Sequence, residues 1–305
     1  MLMIKKRLLD SLMPLLVVLL FMSCGKKVDF NLETDYINLG FDAQGNILSI
    51  VEKASGKEYF PRGEMAPLLS LYKDSVYSLP EQAAYNPGEQ LIILQYSGGI
   101  KAVVSIKNKK SYLRFELLSL EPRNGTQAIV WGPYTTTIGK LIGETVGVVR
   151  DTAFAIGIQS LNINTIEGIP DDGDNAGGGS FIDPLPGQHL PDSLKDKIGQ
   201  PIATDVNSDG DMPAYVRMYR GSLAVKKPYG SELRLFARDR RIPQTIGKGN
   251  KIQYVAPINS DFTGSAVAFF GCPEPEVLNV IEKIELGEGL PHPMLDGEWI
   301  KRSSR

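Results

Sequence analysis

LIILQYSGGIKAVVSIKNKKSYLRFELLSL, residues 91–120, carries three apolar runs separated by two turn signals. Leu91–Tyr96 and Ile100–Ile106 flank Ser97-Gly98-Gly99, and Asn108-Lys109-Lys110 leads into Tyr112–Leu120. Each run is short for a helix, and the first two are rich in β-branched Ile and Val, which suit a pleated backbone. Glycine reaches the positive-φ conformations of tight turns at little steric cost. The stretch therefore predicts an antiparallel β-meander.

Tyr36–Phe41, the turn Asp42-Ala43-Gln44-Gly45-Asn46 and Ile47–Val51 repeat the scheme as a hairpin. Further strands are expected at Ala128–Trp131, Thr145–Val149, Ala153–Ile158, Asn162–Glu167, Ala214–Tyr219, Leu233–Ala237, Lys251–Ile258 and Ser265–Phe270. Short strands punctuated by turns predict an all-β fold, a large antiparallel β-sandwich, rather than βαβ units. Residues 170–213 break the pattern. Asp171-Asp172-Gly173-Asp174-Asn175-Ala176-Gly177-Gly178-Gly179 is acidic and Gly-rich, and Pro184, Pro186 and Pro191 follow. Long loops are expected there, with a short helix near Ser193–Lys197. One helix is expected near the C-terminus. Pro275 suits a first turn, Val277, Leu278, Ile281 and Ile284 recur at helical spacing, and Gly287 would end it. Leu290-Pro291-His292-Pro293 then reads as a stiff, extended linker.

The N-terminus reads as an address. Lys5, Lys6 and Arg7 precede an apolar run from Leu12 to Met22, and Ser23-Cys24-Gly25 follows. This is the basic head, apolar middle and small-residue cleavage site of a secretory signal peptide. With Cys24 as the first mature residue, the segment resembles a bacterial lipoprotein signal, in which the cysteine thiol is lipidated. Phe21 stands where such signals usually carry Leu, so an ordinary signal peptide with a fortuitous cysteine is the alternative. The run is about half the roughly 20 residues of a spanning helix and contains Pro14, which argues against a transmembrane anchor. The expected organisation is a signal at 1–23, a tether at 24–30, a β-sandwich at 31–287 and a linker at 288–305 toward a downstream domain. The expected location is the cell envelope, at the outer membrane or a periplasmic face, with the lipid as the membrane contact.

Removing Lys5, Lys6, Arg7 and Asp10 with the signal leaves 30 basic and 34 acidic residues, a net charge of −4. Without a basic excess, nucleic acid is not an expected partner. Cys24 and Cys272 are the only cysteines. If Cys24 carries lipid, Cys272 stands alone and stability must come from a core. A hydrophobic fraction of 42% is enough to build one.

Asp205, Asn207, Asp209 and Asp211 alternate, with Gly210 at the sixth position, like the first half of a calcium loop. Calcium is therefore the one cofactor the sequence suggests. Val216 occupies the twelfth position, where a bidentate Glu belongs, so a solvated acidic turn is the competing reading. Asp171, Asp172 and Asp174 could add metal ligands or contact sugar hydroxyls, against the reading of a solvated loop. Trp131 and Tyr134 are the candidate carbohydrate-binding residues, since an aromatic body with a polar tip suits a pyranose face. Core packing is the competing fate of Trp131 in a strand, and Trp299 suits packing against a neighbouring domain. Asn124-Gly125-Thr126 is formally a glycosylation sequon. No nucleophile elbow, phosphate loop or C-x-x-C pattern occurs.

INLGFDAQGNILSIVEKASGKEY (37–59), WGPYTTTIGKLIGETVGVV (131–149), the short helix and GLPHPMLDGEWIKRS (289–303) come in a recognisable order. Together they resemble the N-terminal β-supersandwich of exported bacterial glycoside hydrolases, which is similar to the galactose mutarotase fold. The resemblance spans roughly residues 30–290. It implies a non-catalytic module preceding a (β/α)-barrel that carries the catalytic carboxylates. Epimerase chemistry on such a fold, as the resemblance implies, pairs His with Glu. The chain offers only His189, in a Pro-rich loop, and His292, in the linker. No catalytic residue is assigned. The expected function is a non-catalytic, carbohydrate-associated module of an exported glycoside hydrolase system, its partner being carbohydrate or a catalytic barrel. A stand-alone carbohydrate-binding lipoprotein and a glycosidase or epimerase built on the sandwich itself are the alternatives.

Overall fold

The structure is a computed structural model that describes residues 27–143, 146–168, 170, 179–184, 187–202, 213–219, 223–246, 253–295 and 298–299. Alternating apolar residues pair throughout as antiparallel strands. β1 (Phe30–Glu33), β2 (Ile37–Phe41), β3 (Asn46–Glu52) and β4 (Ala66–Pro67) form a four-stranded sheet in chain order. An eight-stranded sheet is built from β7 (Gln82–Asn86), β8 (Leu91–Gln95), β9 (Lys101–Asn108), β10 (Leu113–Glu121), β12 (Leu141–Gly143), β13 (Val148–Arg150), β14 (Phe154–Ser160) and β22 (Ala266–Pro273). Its order is β12-β13-β14-β22-β10-β9-β8-β7, so β22 enters between strands made far earlier. A six-stranded sheet contains β5 (Leu69–Lys73), β6 (Val76–Ser78), β11 (Ala128–Thr136), β15 (Ile166–Glu167), β18 (Ala224–Lys227) and β19 (Gly230–Arg238). Its path is β15-β19-β11-β5-β6, with β18 also on β19. β16 (Gly179–Ile182) pairs β17 (Val216–Tyr219), β20 (Gln244–Ile246) pairs β21 (Gln253–Val255), and β23 (Met294–Leu295) pairs β24 (Glu298–Trp299).

The all-β sandwich expected from the sequence is the observed architecture. The inner faces meet in one core that takes Leu39 and Phe41 from the four-stranded sheet, Phe115 and Phe269 from the eight-stranded sheet, and Trp131 and Leu235 from the six-stranded sheet. Ring contacts cross the interface: Phe115 stacks on Trp131 at 6.4 Å, and Tyr134 meets Phe269 edge-on at 5.3 Å. The β2–β3 hairpin is locked by Asp42, whose Oδ1 accepts from the backbone N–H of Gln44 at 3.0 Å and of Asn46 at 2.8 Å. A carboxylate mimicking a backbone turn in this way is what Asp does best at loop entries.

On the far side of the eight-stranded sheet lies α1 (Val277–Glu288), burying Val277, Val280 and Ile284 against Ala266, Ala268 and Phe270. Two details of the expected helix change. Leu278 is 61% exposed, because the buried stripe runs 277, 280, 284 and position 278 lies about 100° from 277. Gly287 sits inside the helix, and the cap is Gly289, at φ 67°, whose N–H reaches Glu285 O. Cys272, on the β22 face under α1, is a buried free thiol, and burial pushes its pKa up to about 12.

Other expectations shift locally. Asn162–Asn164 turns instead of extending, because Asn162 Oδ1 accepts from Asn164 N–H and Asn162 Nδ2 donates to Gly264 O. The helix near 193–197 is a 3₁₀ segment, Asp192–Lys197. The extended linker leads into the β23–β24 ladder. Among the described residues no helix is long and apolar enough to cross a membrane.

In the eight-stranded sheet Gly157 pairs with Phe270, whose ring lies over it. A Cβ there would stand 2.3 Å from the Phe270 ring. Gly157→Ala should destabilise the protein by about 1–3 kcal/mol through overpacking. Phe270→Leu in the same background should recover part of that loss. Urea denaturation measures both, and an unchanged midpoint for Gly157→Ala would refute the close packing.

Candidate functional site

Cross-strand pairing places Tyr72 on β5, Ala128 on β11 and Arg238 on β19 in one row, since Ala128 is the register partner of both others. Direct partners share a face of a sheet, and residues two apart on a strand do too. Phe236 therefore stands beside Arg238, while Leu235 and Ala237, on the alternate positions, enter the core. The ladder runs one step past the strand ends: Gln127 N–H donates to Tyr72 O at 2.9 Å and Asp239 N–H to Gln127 O at 2.8 Å. Pro170, Ile242 and Pro243 close the sides. The result is an open cleft of about 170 Å3 at the end of the outer face of the six-stranded sheet. It is smaller than the roughly 300–1,000 Å3 of a usual small-molecule pocket, so it suits a single ring or a chain terminus.

Its walls are aromatic and polar together. Tyr72 is steadied by an edge contact to Tyr77, with ring centroids 5.1 Å apart. Gln127 is held by Asp74, accepting from the Asp74 N–H at 2.9 Å and donating to Asp74 Oδ1 at 3.2 Å. The charged groups are unevenly matched. Asp239 accepts from Arg241 Nε at 2.7 Å through Oδ1 and from Arg241 Nη2 through Oδ2, a bidentate clamp. Arg123 binds Asp261, which Arg241 also approaches at 3.9 Å. Arg240 donates to the carbonyl of Ile163. Arg238 has no carboxylate partner among the described residues.

These contacts move pKa values in opposite directions. The Arg241 bond, against a smaller effect of burial, holds the Asp239 carboxyl below its ordinary range. Burial pushes the Asp261 carboxyl up, but bonds from Thr263 and Arg123 outweigh it and leave the group depressed. Burial first, and the charge of Arg240 second, lower the Arg238 guanidinium.

The residues singled out from the sequence lie elsewhere. Trp131 and Tyr134, expected as carbohydrate-stacking residues, are 0% and 1% exposed. Trp131 Nε1 donates to Ser265 Oγ at 2.8 Å and Tyr134 OH to Leu68 O at 2.8 Å. Both point inward on β11 and their ring faces are covered by protein, which corrects that expectation. Cys24, Asp171, Asp172, Asp174 and the calcium candidates Asp205, Asn207, Asp209 and Asp211 lie outside the described residues. His189 is exposed, and His292 Nδ1 lies 2.9 Å from Leu290 O; neither lines the cleft. Among the described residues no three His, Cys, Asp or Glu side chains cluster as metal ligands would. Sequence reasoning missed Tyr72, Phe236 and Arg238. The signal was in β19, where Arg234, Phe236 and Arg238 occupy the positions that alternate with Leu233, Leu235 and Ala237.

The fold and cleft together define an antiparallel β-sandwich with an aromatic, arginine-bearing recess at one sheet end. No protein-family model matches the chain, and no curated protein matches it significantly in sequence.

Because Asp239 and Asp261 are depressed in the folded state, the stability they contribute is complete above the ordinary carboxylate pKa of about 4. It is lost as pH falls through their lower folded values. Urea midpoints measured from pH 6 downward should hold to about pH 4 and then drop, and Asp261→Asn should flatten that drop. A decline already complete above pH 5 would assign acid sensitivity to other groups.

Proposed function

We propose that the protein is an exported, lipid-anchored and non-catalytic β-sandwich module that contacts carbohydrate within a glycoside hydrolase system. Its sandwich would then be of the galactose mutarotase-like kind. The observation that carries this reading is the cleft. Tyr72 and Phe236 offer the apolar surface on which sugar C–H faces stack, and Arg238 supplies hydrogen-bond donors at its edge. Rigid strands position all three, which favours a preformed recognition site.

The same cleft supports binding over catalysis. Glycoside hydrolysis takes two carboxylates flanking the scissile bond. Asp239 is the one carboxylate among the described lining residues, and Arg241 engages both its oxygens. A depressed, clamped carboxylate is a poor general acid at neutral pH.

The lipid anchor follows from Cys24 and its basic and apolar prelude. A second partner is favoured by α1, which exposes Leu278 and Leu286 on the side away from the sandwich. That apolar surface would suit packing against a catalytic barrel.

Two experiments test the proposal. On a glycan array, the full chain in detergent should bind at least one saccharide, and Tyr72→Ala should weaken that binding about five- to tenfold, or roughly 1–1.4 kcal/mol. Binding indifferent to Tyr72 would remove the cleft from the reading. In the native host, an alkyne-tagged fatty acid should label the protein and fail to label Cys24→Ala. Equal labelling of both would refute the anchor.

A further inference from the structure

The carbohydrate reading leaves the class of sugar open, and the arginines around the cleft narrow it. Arg123, Arg238, Arg240 and Arg241 converge at this end of the sheet, while the mature chain as a whole carries a net charge of −4. The concentration is thus local and runs against the global charge. Three of the four have their needs met: Arg241 by Asp239, Arg123 by Asp261, and Arg240 by the Ile163 carbonyl. Arg238 is the one that lines the cleft, and like Arg240 it has no carboxylate partner among the described residues.

We infer that the cleft recognises an anionic saccharide, seating a uronate carboxylate or a sulfate ester on Arg238 while the sugar ring lies against Tyr72 and Phe236. This rests on the carbohydrate-binding reading above and specifies its ligand. A guanidinium presents a planar fork of donors that matches a two-oxygen anion, and such bonds are about twice as strong as neutral ones. Burial and the neighbouring Arg240 both disfavour the charge on Arg238, so an anion beside it relieves a cost already present. Asp239 does not cancel the attraction, because Arg241 neutralises it through a bidentate contact. Asp74 is exposed and engaged with Gln127. A neutral sugar would hydrogen-bond to Arg238 as well, but it would leave the excess charge uncompensated.

The test compares matched glycans on the full chain in detergent. One pair is an oligogalacturonate and its methyl-esterified form; the other is a sulfated galactan and its desulfated form. The charged member of a pair should bind about tenfold or more tightly than the neutral one, with the preference shrinking as salt rises. The pair that shows the preference separates carboxylate from sulfate. Arg238→Gln should abolish the preference by weakening the charged member far more than the neutral one, and Arg238→Lys should keep part of it. If Arg238→Gln does not fold, the salt series on the parent and Arg238→Lys decide the matter. Neutral members bound as tightly as charged ones would overturn this inference and leave the carbohydrate reading standing. Absence of binding to all four glycans and to the wider array would overturn both.

Discussion

The indole of Trp131 sets how the two large sheets face each other. It lies on β11, in the six-stranded sheet, and stacks on Phe115 of the eight-stranded sheet. A fully buried indole N–H must find an acceptor or lose about 1–3 kcal/mol. Here it donates to Ser265 Oγ, which lies 2.9 Å from Thr165 Oγ1, and that oxygen accepts from Ala266 N–H at 3.2 Å. The network joins β11 to the start of β22 and to the turn before β15. Because side chains alternate strictly along a strand, fixing Trp131 inward also fixes Ala128 and Val130 outward. A one-residue slip of β11 would bury the wrong set, and the row of Tyr72, Ala128 and Arg238 would cease to exist.

That dependence explains why the fold was legible from the sequence and the cleft was not. The stretches 91–120 and 37–51 announced themselves because each strand pairs with its neighbour in the chain across a short turn. Alternation and glycine report such local pairing directly. The six-stranded sheet is assembled otherwise: β11 pairs with β5 on one side and β19 on the other, both distant in the chain. Nothing local in Tyr72 or Arg238 says they are two strands apart on one face. Trp131 and Tyr134 read as carbohydrate-stacking residues because they are large, aromatic and polar-tipped. Trp131 shares the inward-facing parity of Ile129 on β11, and the register shift between Trp131 and Tyr134 turns Tyr134 to the core as well. The expected helix end at Gly287 moves to Gly289 for a similar reason, since a cap is defined by a left-handed backbone and not by residue type alone.

The electrostatics of the sheet end are equally non-local. Asp239 and Arg241 are neighbours in sequence, but Asp261 joins them only because the chain returns beside β10's exit, where Arg123 waits. Of the two carboxylates, Asp239 neutralises Arg241 and Asp261 neutralises Arg123, and the approach of Arg241 to Asp261 holds the loop after β19 against the loop before β22. Both are consumed by structure, so neither is poised for proton transfer.

Arg238 is different in kind. A half-buried guanidinium beside other cations carries a desolvation cost, and a sequence shaped by stability alone would place an aliphatic residue or a nearby acid at that position. Local choices elsewhere in this molecule agree with one another, from the Asp42 turn to the αL cap at Gly289. Departures from such agreement concentrate where a protein does something other than fold. Arg238, without a carboxylate partner among the described residues, stands on a rigid strand, next to two aromatic rings, at the rim of an open recess. Its cost is therefore located where a ligand could offset it.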